Sequence, residues 1–237
     1  MSCRLILCRF LPLLCLPLAT SALAARPLVT DDARLSTAGS CQLESWLRAD
    51  RDHHEAWALP TCNPGGNLEI TLGGGQAWAA DSPRTVDYVL QAKTLFRPLR
   101  PNDWGWGLAV GTVRHPEVAP GPNLLGNRYV YLPLSHSLSD DDRVVLHLNL
   151  GWLQDKARGN ASTTWGIGGE FRISDSWQGI AESFGDDHVP AYGQIGLRRT
   201  LIPTLLQIDA TVGRQFAGAN SPAWLSIGLR LTPARLF

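Results

Sequence analysis

The chain has 237 residues, with 21 basic and 21 acidic side chains in formal balance, 23 Gly, nine Trp and five Cys. That balance removes the electrostatic basis for binding nucleic acid. After the first 24 residues no segment approaches the ~20 continuous apolar residues of a membrane helix, so a membrane, if spanned, is spanned by strands.

Residues 1–24, MSCRLILCRFLPLLCLPLATSALA, place Arg4 and Arg9 ahead of an apolar centre and end on Ala22 and Ala24, the layout of a cleaved signal peptide. Leu14, before Cys15, is not the small residue a lipid-anchored N-terminus requires. Cleavage after Ala24 leaves 213 residues with 19 basic and 21 acidic side chains, a net charge of −2. Residues 25–40 then read as a periplasmic N-terminal segment and 41–237 as a β-barrel.

Three cysteines leave with the signal, and the remaining two, Cys41 and Cys62, lie symmetrically about Arg51-Asp52. A hairpin turning there sets them opposite each other in the pair class whose side chains lie closer. A disulfide is the leading expectation. Two buried thiols or a metal pair are the alternatives, although no further Cys or His has ligand spacing around them.

From residue 41 onward, short alternating segments separated by Gly, Pro, Asn and Asp follow one another. They predict twelve strands, at 41–50, 54–62, 67–79, 84–97, 104–114, 126–138, 143–153, 161–173, 176–185, 190–201, 204–216 and 221–232. The fold class is therefore all-β, an antiparallel up-and-down barrel. Even-numbered connections such as "SDS" and "TLIPT" are mostly tight, while odd-numbered ones include "RHPEVAPGPNLLGN" and "QDKARGNAS". Sorting by parity suits an outer-membrane barrel with periplasmic turns and external loops.

The faces bear this out. In "RVVLHLNLGWL" the residues Val144, Leu146, Leu148 and Leu150 alternate with His147 and Asn149, and Trp165, Ile167, Gly169, Phe171 and Ile173 alternate with Gly166, Gly168, Glu170 and Arg172. In a soluble sandwich the apolar set would be core; in an outer-membrane barrel it meets lipid and the polar set lines the lumen. Trp78, Tyr88, Trp104, Trp106, Trp152, Trp165 and Trp177 near strand ends favour the second, as do glycines on the polar face, where a lumen needs room. Phe237 keeps the phase of Leu225 to Leu231 and resembles a terminal assembly signal, although Pro233 and Arg235 interrupt that pattern.

The polar phase yields a set of lumen-lining candidates: Glu44, Arg48, Glu55, Glu69, Lys93, Arg97, Arg128, His147, Asn149, Glu170, Arg172, Arg198, Asp209 and Arg230. Mixed signs suggest a narrow polar passage without strong ion selection, or a paired network that plugs the barrel. Catalytic readings are weaker. Asp186, Asp187 and His188 resemble part of an outer-membrane protease's equipment but also make a turn, Ser135, His136 and Ser137 lack a supporting motif, and His53 and His54, adjacent on a strand, would chelate poorly. No enzyme activity, cofactor or metal is expected. The expected partners are outer-membrane lipid, a small solute and the barrel-assembly machinery, with a monomeric barrel.

The start of the mature chain carries a resemblance. Leu28-Val29-Thr30-Asp31-Asp32, then Gly39, Gln42-Leu43-Glu44 and "GNLEITLGGG" at 66–75 resemble the outer-membrane family associated with the MetA pathway of phenol degradation. The resemblance implies an outer-membrane channel for small solutes, aromatic or hydrophobic ones among them. Cys41, Cys62 and the Pro233 tail depart from it.

Overall fold

A computed structural model describes residues 26–79, 82–116, 125–217, 223–233 and 236. The expected signal peptide, Arg235 and Phe237 lie outside the described residues. Twelve strands follow in order: β1 Ser40–Ala49, β2 His53–Asn63, β3 Glu69–Ala79, β4 Ser82–Arg97, β5 Trp104–Arg114, β6 Asn127–Ser137, β7 Val144–Asp155, β8 Asn160–Arg172, β9 Trp177–Asp186, β10 Tyr192–Ile202, β11 Leu206–Gln215 and β12 Ala223–Leu231. Each pairs antiparallel with its neighbours in sequence, and β1 also pairs with β12, closing the sheet into a barrel. Closure leaves no edge strand, so the backbone groups of the wall find partners within it.

One end of the barrel, the turn end, carries the connections at 64–68, 98–103, 138–143, 173–176 and 203–205 together with the start of β1 and the end of β12. The other, the loop end, carries 115–126, 156–159, 187–191 and 216–222, but also the tight connections 50–52 and 80–81. Loop length therefore sorts only partly by parity. At 50–52 the reason is local: the Asp50 carboxylate accepts the Asp52 and His53 N–H groups, closing the turn in three residues.

The ladder decides the faces. On β7, Leu148 lies opposite Leu134 and Ile167, and His147 opposite Ser135 and Gly168. Leu148 is 47% and Leu150 57% exposed, whereas His147 is 1% exposed. The same inversion runs round the wall, with Leu47, Leu72, Ile195 and Ile227 outside and Gln91, Lys93, Arg198 and Asp209 buried within. A surface of that kind needs lipid around it. Trp78, Tyr88, Trp104, Trp106, Trp152, Trp165 and Trp177 all keep the outward phase, while Trp46, Trp57 and Trp224 point inward.

The residues 25–40 are the main departure from the reading as a periplasmic segment. From Arg26 to Ser36 the chain runs inside the barrel, with Leu28, Thr30, Asp31, Asp32, Ala33 and Ser36 buried, and it leaves at the turn end to begin β1. Cys41 and Cys62 face each other across β1 and β2 and form a disulfide on the outward face.

Two outcomes are expected. Leu148→Arg puts a charge on the lipid side near mid-strand, costs roughly 2 to 4 kcal/mol, and lowers the fraction of heat-modifiable folded barrel on gels. Peptide mapping without reduction recovers Cys41 linked to Cys62, and joint replacement by Ser lowers stability by about 3 kcal/mol in the chain-entropy view.

Candidate functional site: a lumen filled by residues 26–36

A segment buried in a barrel must satisfy its own backbone, because neither helix nor sheet supplies partners there. The wall supplies them through side chains. Glu182 accepts the N–H groups of Val29 and Thr30, both at 2.7 Å, and Glu44 accepts that of Arg26 at 3.3 Å. Ser135 Oγ accepts from Ala33 N at 2.8 Å, and Glu69 accepts from Ser36 N at 2.6 Å. Asn149, with its amide oriented to match its partners, brackets Asp31: it accepts the Asp31 N–H at 2.6 Å and donates to the Asp31 carbonyl at 2.9 Å. Carbonyls are met as well, that of Arg26 by Arg198, Pro27 by Gln194, Ala33 by the Leu99 N–H and Ser36 by Asn63.

Charge repeats the same logic. Lys93 Nζ lies 2.8 Å from Asp31 and 3.6 Å from Asp32, with all three side chains buried. Arg26 pairs with Asp209 at one end of the segment, and Arg34 with Glu170 at 3.3 Å at the other. Burial lifts the Asp31 carboxyl above the usual range, against the pull of Lys93. The same burial acts on Asp32, but Lys93 and Arg34 outweigh it and hold that carboxyl below the range. Tyr131 donates its hydroxyl to Asp31 at 2.7 Å, so the second oxygen of that carboxylate is also occupied.

Shape completes the fit. A Cβ added at Gly166 would stand 2.6 Å from Thr30 Oγ1 and crowd the segment, and one at Gly228 would push the Arg26 guanidinium from its place beside Asp209.

Of the sequence-derived candidates, Glu44, Glu69, Lys93, Asn149, Glu170, Arg198 and Asp209 touch the segment. His147 reaches it through Ser135, whose Oγ lies 2.8 Å from Nδ1. Arg230 lies behind Glu44 at 3.5 Å, and Arg48 and Glu55 pair at 2.6 Å higher in the lumen. Arg172 keeps the inward phase but lies at the turn end, 4.0 Å from Asp141. Two are not in the lumen. Arg128 stands on the outward phase because Tyr129 and Tyr131 take the inward one. Arg97 follows a register shift after Leu95, stacks over Trp104 and binds Asp103, whose carboxyl this hydrogen bond holds below its ordinary range.

Glu182, Gln194, Ser135 and Tyr131 were not among the candidates, although each holds the segment; their signal was the inward phase alone. The other motifs resolve locally. Ser135 and His136 point to opposite faces, as do His53 and His54, and Asp186 and Asp187 accept backbone N–H groups of their own turn and of Thr163.

Space remains on two sides of the segment. A cavity of about 90 Å³ opens toward the loop end, with Val29 and Thr30 in its floor and Leu153, Phe184, Val189 and Tyr192 in its walls. A second, of about 30 Å³, lies between Asp31–Ser36 and β1–β4, and the two share no lining residue.

Residues 12–232 match the family described as Uncharacterised conserved protein UCP029691, and the chain belongs to that family. No curated protein was found to match it. Solved structures share its fold: the KdgM porin in complex with disordered oligogalacturonate has 8% identity and a TM-score of 0.61 over 81% of this chain and 99% of the porin. The NanC porin has 11% identity and a TM-score of 0.56 over 81% and 100%. An outer-membrane channel from Pseudomonas putida F1 has 12% identity and a TM-score of 0.55 over 84% and 97%.

Removing Lys93 leaves the buried Asp31 carboxylate with the Tyr131 hydroxyl but no cation, and Asp32 with Arg34 alone at 3.4 Å, a loss of roughly 3 to 5 kcal/mol that falls on the filled state alone. In Leu28→Cys, the new thiol is expected to resist an impermeant maleimide; with Lys93→Met added, it is expected to label readily. Equal protection in both would show that Lys93 does not hold the segment.

Proposed function

We propose that the protein is an outer-membrane channel for small solutes whose lumen is narrowed by its own residues 26–36. The loop end then faces outward and the turn end the periplasm. Export on the first 24 residues, insertion by the barrel-assembly machinery and function as a monomer belong to the same reading. The observation that carries it is the cavity at the loop end, whose floor the segment forms through Val29 and Thr30 together with Tyr131, Asn149 and Gly166 of the wall. A floor held only by noncovalent contacts can be displaced, so passage depends on the segment.

The walls of that cavity bear on the solute. Leu153, Phe184 and Val189 are apolar, Thr30, Asn149 and Ser162 supply polar atoms at and above the floor, and Asp155, Arg158 and Asp186 add charge toward the loop end. This combination favours small, weakly polar solutes, aromatic or hydrophobic ones included, and agrees with the resemblance to the MetA-pathway family. A second reading, a permanently plugged barrel with a structural or surface role, draws on how completely the segment's backbone is satisfied.

Planar-bilayer recordings separate the two. The channel reading expects small, resolvable conductance steps from the wild type and several-fold larger steps once residues 26–36 are deleted from a barrel that still shows heat-modifiable mobility. A silent wild type beside a conducting deletion would establish the plug. Silence from both folded proteins would remove the channel altogether.

A further inference from the structure

The outward face is apolar or aromatic over most of its length, and the loop end of β4 to β7 breaks that rule. Arg84, Arg114 and Arg128 lie on three neighbouring strands, all on the outward phase, and Lys156 directly follows β7. Arg114 stands opposite Tyr88, and Arg128 opposite Thr112. The two arginines are thus diagonal neighbours, about 7–8 Å apart, a separation one phosphate group can bridge.

Among the described residues, no acidic side chain compensates this charge. The outward positions of β4 to β7 hold no acidic side chain among the described residues, and within the same residues Arg84, Arg114 and Arg128 enter no ion pair. Near the turn end Arg97 is bound to Asp103, and Arg143 and Arg172 approach Asp141; Arg199 stacks over Trp177, as Arg84 of the patch does over Trp78. Toward mid-wall the outward residues follow a depth order. Along each strand toward the loop end the order is Leu90, Tyr88, Val86 and Arg84 on β4, Val110, Thr112 and Arg114 on β5, Leu132, Val130 and Arg128 on β6, and Leu150, Trp152 and Gln154 on β7. Hydrocarbon, interface and headgroup layers ask for that succession.

We propose that this patch binds the phosphate groups of the phosphorylated glycolipid forming the leaflet around the loop end, an inference that rests on the outer-membrane reading above. A guanidinium presents paired N–H donors that match two phosphate oxygens, and two guanidinia on one diagonal hold a phosphate from both sides. The band therefore fixes the depth at which the wall sits and keeps a ring of specific lipid against β4–β7.

The test uses the full-length mature barrel in detergent, with native mass spectrometry as the readout and lipid A carrying both phosphates as the probe. Wild type is expected to retain the lipid. Arg114→Gln with Arg128→Gln should weaken retention about tenfold, on the scale of losing charge-assisted contacts, and Arg199→Gln should leave it unchanged. Lipid A stripped of its phosphates, offered to the wild type, should bind as weakly as intact lipid binds the double variant, which keeps the test open if that variant fails to fold. Equal retention of stripped and intact lipid would overturn the proposal. So would inorganic phosphate binding that is lost in the double variant while lipid retention is not, since that outcome assigns the patch to the free ion. Membrane fractionation tests the outer-membrane reading by itself: a wild type found in that membrane but indifferent to the phosphates sinks this inference and leaves the location standing.

Discussion

The interior depends on one constraint, the burial of eleven residues of irregular backbone inside a sheet that has no free hydrogen-bonding edge to offer them. The wall's backbone is committed to closing the barrel, so residues 26–36 are held mainly by side chains, with the Leu99 N–H to the Ala33 carbonyl as a backbone exception. That requirement explains why the inner face is rich in carboxylates and amides, Glu44, Glu69, Asn149, Glu182 and Gln194 among them, and why each of these reaches backbone of the segment.

The charges then fix the register of the segment. Along it the signs run cation, two anions, cation, at Arg26, Asp31-Asp32 and Arg34, and the wall answers with Asp209, Lys93 and Glu170. Sliding the segment by one or two residues would set Asp31 or Asp32 against the Glu170 carboxylate or leave Lys93 buried alone. Buried ion pairs are weak evidence of net stability, because desolvation offsets their attraction; their stronger effect is on which arrangement is tolerated. Gly166 and Gly228 act in the same direction through shape, since the space they leave is the space that Thr30 and Arg26 occupy.

Much of the wall was legible in the sequence, because a strand with one face in lipid repeats its polarity every second residue and a closed barrel repeats its turns. The pairing of Cys41 with Cys62 was legible for a related reason: register in a hairpin follows from the turn, and the turn was marked by Asp50 to Asp52. Errors fell where alternation stops being informative. Arg128 opens β6 in a run, "NRYVYL", in which aromatic and apolar residues occupy both phases, and the inward positions went to Tyr129 and Tyr131. Arg97 follows a register shift, which resets the phase that periodicity extrapolates.

Residues 26–36 were illegible for a deeper reason. The segment has no period, so nothing local distinguishes a chain lying in a lumen from one trailing in water. What distinguishes it is complementarity with residues tens to hundreds of positions away, and single-sequence reasoning has no access to that pairing. One trace did exist: Asp31 and Asp32, flanked by Arg26 and Arg34, form a neutral patterned stretch ahead of a barrel whose inner face carries its own excess of unpaired signs. The same "LVTDD" that carried the resemblance to a channel family is the part that occupies the lumen. A motif read first as a label for location is thus better understood as a ligand of the barrel, shaped by Lys93, Asn149 and Glu182 as much as they are by it.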